Sequence, residues 1–501
     1  MTATPPSPSP ENPWSQRRWF LVLGILLGLY AVLLLTCLGA NAGGSDSSGY
    51  LNQAKLLATG QATVAPRALP ELPPTAELDF LYSPLGLKPT ADHRQLVPTY
   101  PLGLPLLLVL ARPLFGWAQA ANAVALAHLL AGVALLYAWL RTLDFSRGWA
   151  LSGTALLATS PLYLRIGTQN MSDVPALVWC LASVLAAWRA PKAARWSFLA
   201  GFALGVAVLI RPSNLVLLAP LALIVGLSWR RWIVFGLGGA PLALIQLAHS
   251  HAAYGAWLTT GYGAVGGMFS VAHVWPSLLQ YLRWSAVLFS PVALLALALP
   301  RFGRADRRLA LVLAAWITGF FGFYLFYPYT AEAWWFMRFV LPAAPALIAA
   351  GLWQARSWPW LQSSIRLRYA LLALVFAFAT FWDFRLNAFS SGRTESHYPE
   401  TAAWVKEHLP ADAVVFCMQY SGCLFYYTDF TLLRWDAFPL ESLARVQSAI
   451  SANRRPVYAV LFSSENQSAL ERLGGRWTKI GQVRYATIWQ AEDFPPAQPL
   501  R

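Results

Sequence analysis

The sequence predicts an α-helical polytopic membrane protein of about eleven transmembrane helices, with a small α/β domain on the outer face at its C-terminal end. Three observations carry that prediction. Of the 501 residues, 57% are hydrophobic and only 12% are charged, whereas soluble domains are about a quarter charged. Apolar runs of spanning length recur from residue 19 to residue 386. Basic residues collect in the short loops at alternate ends of those runs, which is the positive-inside pattern. That placement accounts for much of the net charge of +15, and no basic stripe with interleaved aromatics points to nucleic acid. The 24 Trp and 19 Tyr suit interfacial belts.

The elements follow in order. Residues 1–18 form a cytoplasmic tail, Pro-, Ser- and Thr-rich and disordered over 1–16, and ending in Arg17 and Arg18. The run 19–40 is too long for a cleaved signal peptide and opens a transmembrane module over 19–386. A long first outer loop, 41–118, carries one helical stretch, 50–58. Its Leu51, Ala54, Leu57 and Ala58 share a face and Asn52, Gln53 and Lys55 turn away, which suits a helix on the membrane surface. The run opening at Tyr100 is broken by Pro105 and Pro113 and reads as re-entrant or juxtamembrane. As a full span it would put every later Arg-rich loop outside. Further spans are expected at 120–140, 149–164, 174–188, 196–210, 214–228, 233–248, 278–299, 309–327, 339–352 and 369–386, with inner loops marked by Arg141, Arg230, Arg304, Arg356 and their basic neighbours. Beyond residue 387 charge rises and the runs shorten. Helices at 400–409 and 464–473 and strands at 413–416, 423–427, 457–462 and 484–490 make 387–501 an extracytoplasmic α/β domain. Cys37 and Cys180 read as small core residues; Cys417 and Cys423 could bridge if that domain meets an oxidising compartment.

Polar residues at the outer span ends carry the chemistry. Asp46, in Gly43-Gly44-Ser45-Asp46-Ser47-Ser48-Gly49-Tyr50, emerges directly after the first run, and Asp173 falls at another outer end with Arg165, Arg211 and Arg338. Arginines bind phosphate bidentately, a carboxylate can take a proton from an acceptor hydroxyl, and cations stabilise a departing phosphate. Plainer readings stand beside these. Asp46 suits an N-cap, as does Asp173 before Val174-Pro175. Arg211 and Arg338 suit snorkelling side chains. His249 and His251 suit structural interfacial residues, and His128 and Gln246 suit hydrogen bonds between helices.

The layout resembles the GT-C superfamily of polyprenyl-phosphate-sugar-dependent glycosyltransferases, and within it the family 39, protein-mannosyltransferase-like bacterial members, including aminoarabinose and Rhizobium-type core transferases. The resemblance spans roughly residues 19–386. It rests on Asp46-Ser47-Ser48-Gly49-Tyr50, Tyr100-Pro101-Leu102-Gly103, Ser160-Pro161 with Ser172-Asp173-Val174-Pro175, Arg211-Pro212, Tyr254-Gly255 with Gly261-Tyr262, and Arg338-Phe339-Val340-Leu341-Pro342, in that order. It implies an inverting transfer of one sugar from a polyprenyl phosphate, in the plasma (inner) membrane, to a glycan, lipid or protein acceptor on the outer face. Asp46 and Asp173 match the family's first- and second-loop acids. Arg338 matches its phosphate-facing cation, with Arg211, Lys55, Lys88 and Arg94 as further cations and Tyr50 and Tyr262 as substrate-facing rings. Many relatives carry two adjacent acids in the first loop and some carry Arg three residues after the acid; here Ser47 and Gly49 stand there. No cofactor is certain from these residues, and a divalent metal stays open although the second first-loop acid that would help hold it is absent. Two other functions remain open. A transporter or flippase for a lipid-linked glycan would need inverted repeats and polar residues at mid-bilayer. A non-catalytic membrane assembly protein would need none of this chemistry.

Overall fold

The computed structural model describes residues 13–263, 265–301, 307–453 and 455–493. The N-terminal part of the expected tail and Arg304 lie outside them. In chain order the helices are α1 (Pro13–Cys37), α2 (Ser45–Ala58), α3 (Gly103–Thr142), α4 (Arg147–Ala158), α5 (Pro161–Gly167), α6 (Asp173–Arg189), α7 (Ala194–Ile210), α8 (Leu218–Val225), α9 (Trp229–Tyr254), α10 (Val274–Leu288), α11 (Arg307–Leu325), α12 (Pro328–Glu332), α13 (Ala344–Ser357), α14 (Pro359–Ser363) and α15 (Ile365–Arg385). Among the described residues, seven helices are long and apolar enough to cross a membrane. They take up the expected spans beginning at 19, 120, 174, 233, 309, 339 and 369. The other apolar runs fold as shorter or broken segments: α4 with α5, α7, a 3-10 turn with α8, and α10 with the 3-10 stretch Pro291–Arg301.

The run that opens at Tyr100 is helical and folds back. At Gly116 the backbone leaves helical geometry, with φ 64° and ψ 173°. In a straight helix Leu104 and Ala125 would be ~32 Å apart; here both line one small cavity with Ala121 and Val124. The first half of α3 is thus one arm of a helical hairpin.

Helices pack closely where glycine permits it. A Cβ at Gly201 on α7 would overlap the Phe235 carbonyl oxygen on α9, and one at Gly238 would overlap the Phe198 carbonyl oxygen. Backbone-to-backbone approach of this kind supplies van der Waals contact where lipid gives no hydrophobic drive between helices. Gly201→Leu is expected to force these helices apart at a cost of ~1–3 kcal/mol or more, lowering the thermal midpoint of detergent-solubilised protein; an unchanged midpoint would contradict the close crossing.

One expectation for the first loop needs correction. The helix α2 does not turn its polar face outward to water. Residues Ser47 to Ala54 are all buried, Asn52 and Gln53 included. Asn52 Nδ2 donates to the Gly422 carbonyl at 3.0 Å, so its polar face is satisfied by protein rather than water. A stretch further along the same loop packs into the core of the C-terminal domain. Leu69, Leu72, Leu78, Leu81 and Tyr82 share a core with Val414, Phe416, Leu433 and Leu461.

The C-terminal region holds α16 (Ser391–Thr394), α17 (His397–His408), α18 (Ser421–Tyr427), α19 (Leu443–Asn453) and α20 (Asn466–Leu473). After the ribbon β1 (Leu87–Pro89) and β2 (Leu96–Pro98), its strands are β3 (Val414–Cys417), β4 (Thr431–Arg434), β5 (Val457–Phe462), β6 (Arg476–Val483) and β7 (Ala486–Asp493). They form one sheet in the order β4-β3-β5-β7-β6. β3 runs parallel to β4 and β5, and β7 antiparallel to β5 and β6. The expected strand 423–427 is instead α18, since a short apolar run does not distinguish strand from buried helix. β6 leaves no clear strand pattern in the sequence, being largely exposed and irregularly registered. Cys417 and Cys423 are free and buried, and Cys423 Sγ donates to the Tyr398 carbonyl at 3.3 Å.

Candidate active site

The site is assembled from stretches far apart in sequence. Asp46 lies in the first turn of α2, where Gly44 is the N-cap and no side chain caps the helix. Its carboxylate points away from the helix end, to Arg338 Nη2 at 2.6 Å. Arg338 comes from the 3-10 stretch Trp334–Ala343. A second ion pair stands behind the first: Arg211 Nη2 is 2.8 Å from Asp173 Oδ1, and the Asp173 side chain is 0% exposed. That contact lacks hydrogen-bond geometry, so both Asp173 oxygens are buried without a hydrogen bond.

The two pairs are coupled through the turn before α6. Ser172 Oγ accepts from Tyr50 Oη at 2.9 Å and from Arg211 Nε at 2.9 Å. Met171 Sδ lies 3.7 Å from Arg338 Nη1 and 3.7 Å from Ser47 Oγ. The Phe339 ring has both guanidinium groups near it, each 5.2 Å from its centroid, a cation–π arrangement. Tyr100 packs against Tyr50 at a tilt of 45° with centroids 4.9 Å apart and meets Tyr262 edge-on at 6.2 Å. Its hydroxyl is 2.7 Å from Ser45 Oγ. Gly49 lies beneath Tyr100, and a Cβ there would overlap the ring. That contact explains why this position holds no arginine.

Asp46 and Arg338 open onto a cavity of ≈ 400 Å³, whose wall also includes Arg165, Trp335, Glu395 and Tyr398. Burial would raise the Asp46 pKa, but Arg338, the Tyr100 hydroxyl and Arg211 outweigh it and hold the carboxyl below its usual range. Glu395 goes the other way: burial pushes it up to about 7 against the opposing pull of Arg165.

The structure thus brings Asp46, Arg338, Arg211, Asp173, Tyr50 and Tyr262 into one network, and places the other expected cations elsewhere. Lys55 Nζ donates to the Tyr426 carbonyl at 2.7 Å and stands over that ring at 3.6 Å, tying α2 to α18. Lys88, on β1, is 5.2 Å from the Tyr254 ring. Arg94 is exposed in the turn between β1 and β2. None of the three lines the Asp46 cavity. Met171, Trp335 and Glu395 stand outside every motif named from the sequence, and Ser172 stands in one, Ser172-Asp173-Val174-Pro175, only as the neighbour of Asp173. Glu395 alone left a trace, as an acid just past the last apolar run in a chain with only 22 acids. Among the described residues no group of three or more His, Cys, Asp or Glu is placed to hold a metal.

Comparisons with known proteins agree with this architecture. A family model described as dolichyl-phosphate-mannose-protein mannosyltransferase matches residues 100–250. ArnT from Cupriavidus metallidurans, bound to undecaprenyl phosphate, superposes with a TM-score of 0.60 at 13% identity, covering 96% of this chain and 99% of that one. The chain has the GT-C fold. Two further GT-C structures superpose at a TM-score of 0.50 and 13% identity. One is the archaeal oligosaccharyltransferase AglB from Archaeoglobus fulgidus, with an inhibitory peptide and a dolichol-phosphate, covering 90% of this chain and 70% of that one. The other is the arabinofuranosyltransferase AftD from Mycobacteria, covering 95% and 41%. No curated protein matches the sequence itself. The GT-C match to ArnT extends through the C-terminal sheet, beyond the segment matched by the family model.

Proposed function

We propose that this chain transfers a sugar, with inversion, from a polyprenyl-phosphate donor to an acceptor on the outer face of the plasma membrane, with its N-terminus cytoplasmic and its C-terminal domain outside. The observation that carries this reading is the Asp46–Arg338 pair at the mouth of an open cavity. An arriving phosphodiester competes with Asp46 for the guanidinium, which suits a planar, bidentate partner. Asp46, released from Arg338, loses the cation that depresses its pKa and becomes a better base. It then takes the proton of the acceptor hydroxyl as that oxygen attacks the anomeric carbon. The bond from that carbon to the phosphate oxygen breaks on the opposite side, and the negative charge leaves with the polyprenyl phosphate at Arg338. Asp173 and Arg211 hold the turn that carries Met171 and Ser172. No step calls for a metal.

The test is release of free polyprenyl phosphate from labelled polyprenyl-phosphate sugars by protein reconstituted in native lipid extract. Wild type is expected to release it, and Asp46→Asn to lose ~10²–10⁴-fold, the usual contribution of a positioned base. Equal release by both proteins would remove Asp46 from the chemistry. Failure of the wild type with every donor would favour the transport or assembly functions.

A further inference from the structure

The cavity has a second carboxylate that the donor chemistry above does not use. Glu395 follows α16, beyond the last membrane helix, yet it lines the same cavity as Asp46 and Arg338. Gly43 leaves the space its carboxylate occupies, since a Cβ there would overlap Glu395 Oε2. Among the described residues no side chain or backbone N–H donates to that carboxylate, so its ≈ four lone-pair positions remain for a ligand. Arg165 faces it from α5 and is held in place: Nη1 donates to the Leu386 carbonyl at 2.6 Å, and the guanidinium is 5.3 Å from the Trp334 ring. Trp335, 46% exposed, adds a flat apolar wall.

We propose that Glu395, Arg165 and Trp335 form the acceptor half of the cavity, and that the acceptor they hold is a carbohydrate. This rests on the transferase reading and names the substrate class of the same site. A sugar ring presents neighbouring hydroxyls, which a carboxylate can accept from in a bidentate, charge-assisted manner. It also has an apolar C–H face suited to an indole. An aliphatic alcohol offers one hydroxyl and no use for paired charges. A peptide acceptor bound as an extended strand would need a sheet edge, and no strand lines the cavity. The Glu395 charge also repels a donor phosphate, which keeps the lipid headgroup at Arg338. The charged and titratable groups facing Glu395 are Arg165 on α5, Tyr398 on α17, and Tyr420 and Cys423 at α18.

Two measurements test this. Saturation-transfer NMR would follow binding of methyl glucoside and methyl mannoside, with a Thr-rich peptide for comparison, to full-length protein in detergent. At least one glycoside should bind and the peptide should not. Glu395→Gln should weaken the glycoside at least tenfold, Gly43→Ala should move in the same direction, and Glu395→Asp should recover part of the loss. Binding to the wild type should weaken as pH falls through about 7, where Glu395 takes up its proton, and the Gln variant should lack that dependence. The second measurement is the glycoside concentration that half-maximally stimulates donor turnover, expected to rise by the same factor in Glu395→Gln. Undiminished glycoside binding by Glu395→Gln, or binding of the peptide in preference to either glycoside, overturns the proposal. Because NMR reads binding without turnover, a Glu395-dependent glycoside site in a protein inactive with every donor would uphold the carbohydrate site and count against the transferase reading.

Discussion

Arg338→Met is expected to lower release of polyprenyl phosphate by ~10²–10³-fold, the loss typical of removing one preorganised charge-stabilising donor. The chain should still fold, because the partner it abandons, Asp46, is 25% exposed and open to the cavity. Arg338→Lys should fall between, since a lysine restores the charge but not the planar two-pronged contact. In the Met variant burial acts on Asp46 without its main opposing cation, so the Asp46 pKa rises. The sign follows directly. In the wild type a depressed pKa keeps Asp46 ionised until the pH drops below the usual carboxylate range. In the variant the residual activity should acquire an acid limb at higher pH. Asp46→Asn combined with Arg338→Met should cost far less than the product of the single losses, because both act at one step. Product release and its pH profile check all four statements, and a multiplicative double variant would separate the two residues.

Asp173→Asn should act on stability first. The Asp173 carboxylate is fully buried and Arg211 is its ion-pair partner at 2.8 Å, so neutralising it leaves a guanidinium with only 12% exposure uncompensated. Breaking a buried pair from one side costs ~3–5 kcal/mol, whereas replacing both partners with apolar groups of similar shape can be nearly neutral. Asp173→Asn should therefore lower the thermal midpoint markedly, and Asp173→Leu with Arg211→Met should recover most of it. A midpoint unchanged by Asp173→Asn would show that the pair carries no stability. If instead the Asn variant kept its midpoint and lost turnover, Asp173 would belong with Asp46 in the chemistry.

The split between these two acids was not legible in the sequence. Asp46 and Asp173 look alike there: each follows or opens an apolar run and each suits an N-cap. Their difference is one of surroundings, since Asp46 opens on a cavity while Asp173 is fully buried beside Arg211. The same holds for the cations. Lys55 is three residues further along α2 than Asn52, and both are turned to α18, so Lys55 holds a carbonyl instead of a phosphate. The reading of α2 with its polar face turned to water failed because amphipathicity assumes water or lipid on the polar side, and here α18 supplies the hydrogen bonds.

By itself the sequence determined the membrane class, the order of the apolar helices and the α/β character of the C-terminal region. Those features follow from local composition and period, which lipid and backbone hydrogen bonding constrain strongly. Tertiary structure alone decided which acid is exposed, which cation meets it, and that Glu395 enters the same cavity from beyond the last span. Burial and charge pairing depend on neighbours hundreds of positions away, such as Arg338 for Asp46, and no local pattern in the chain encodes them.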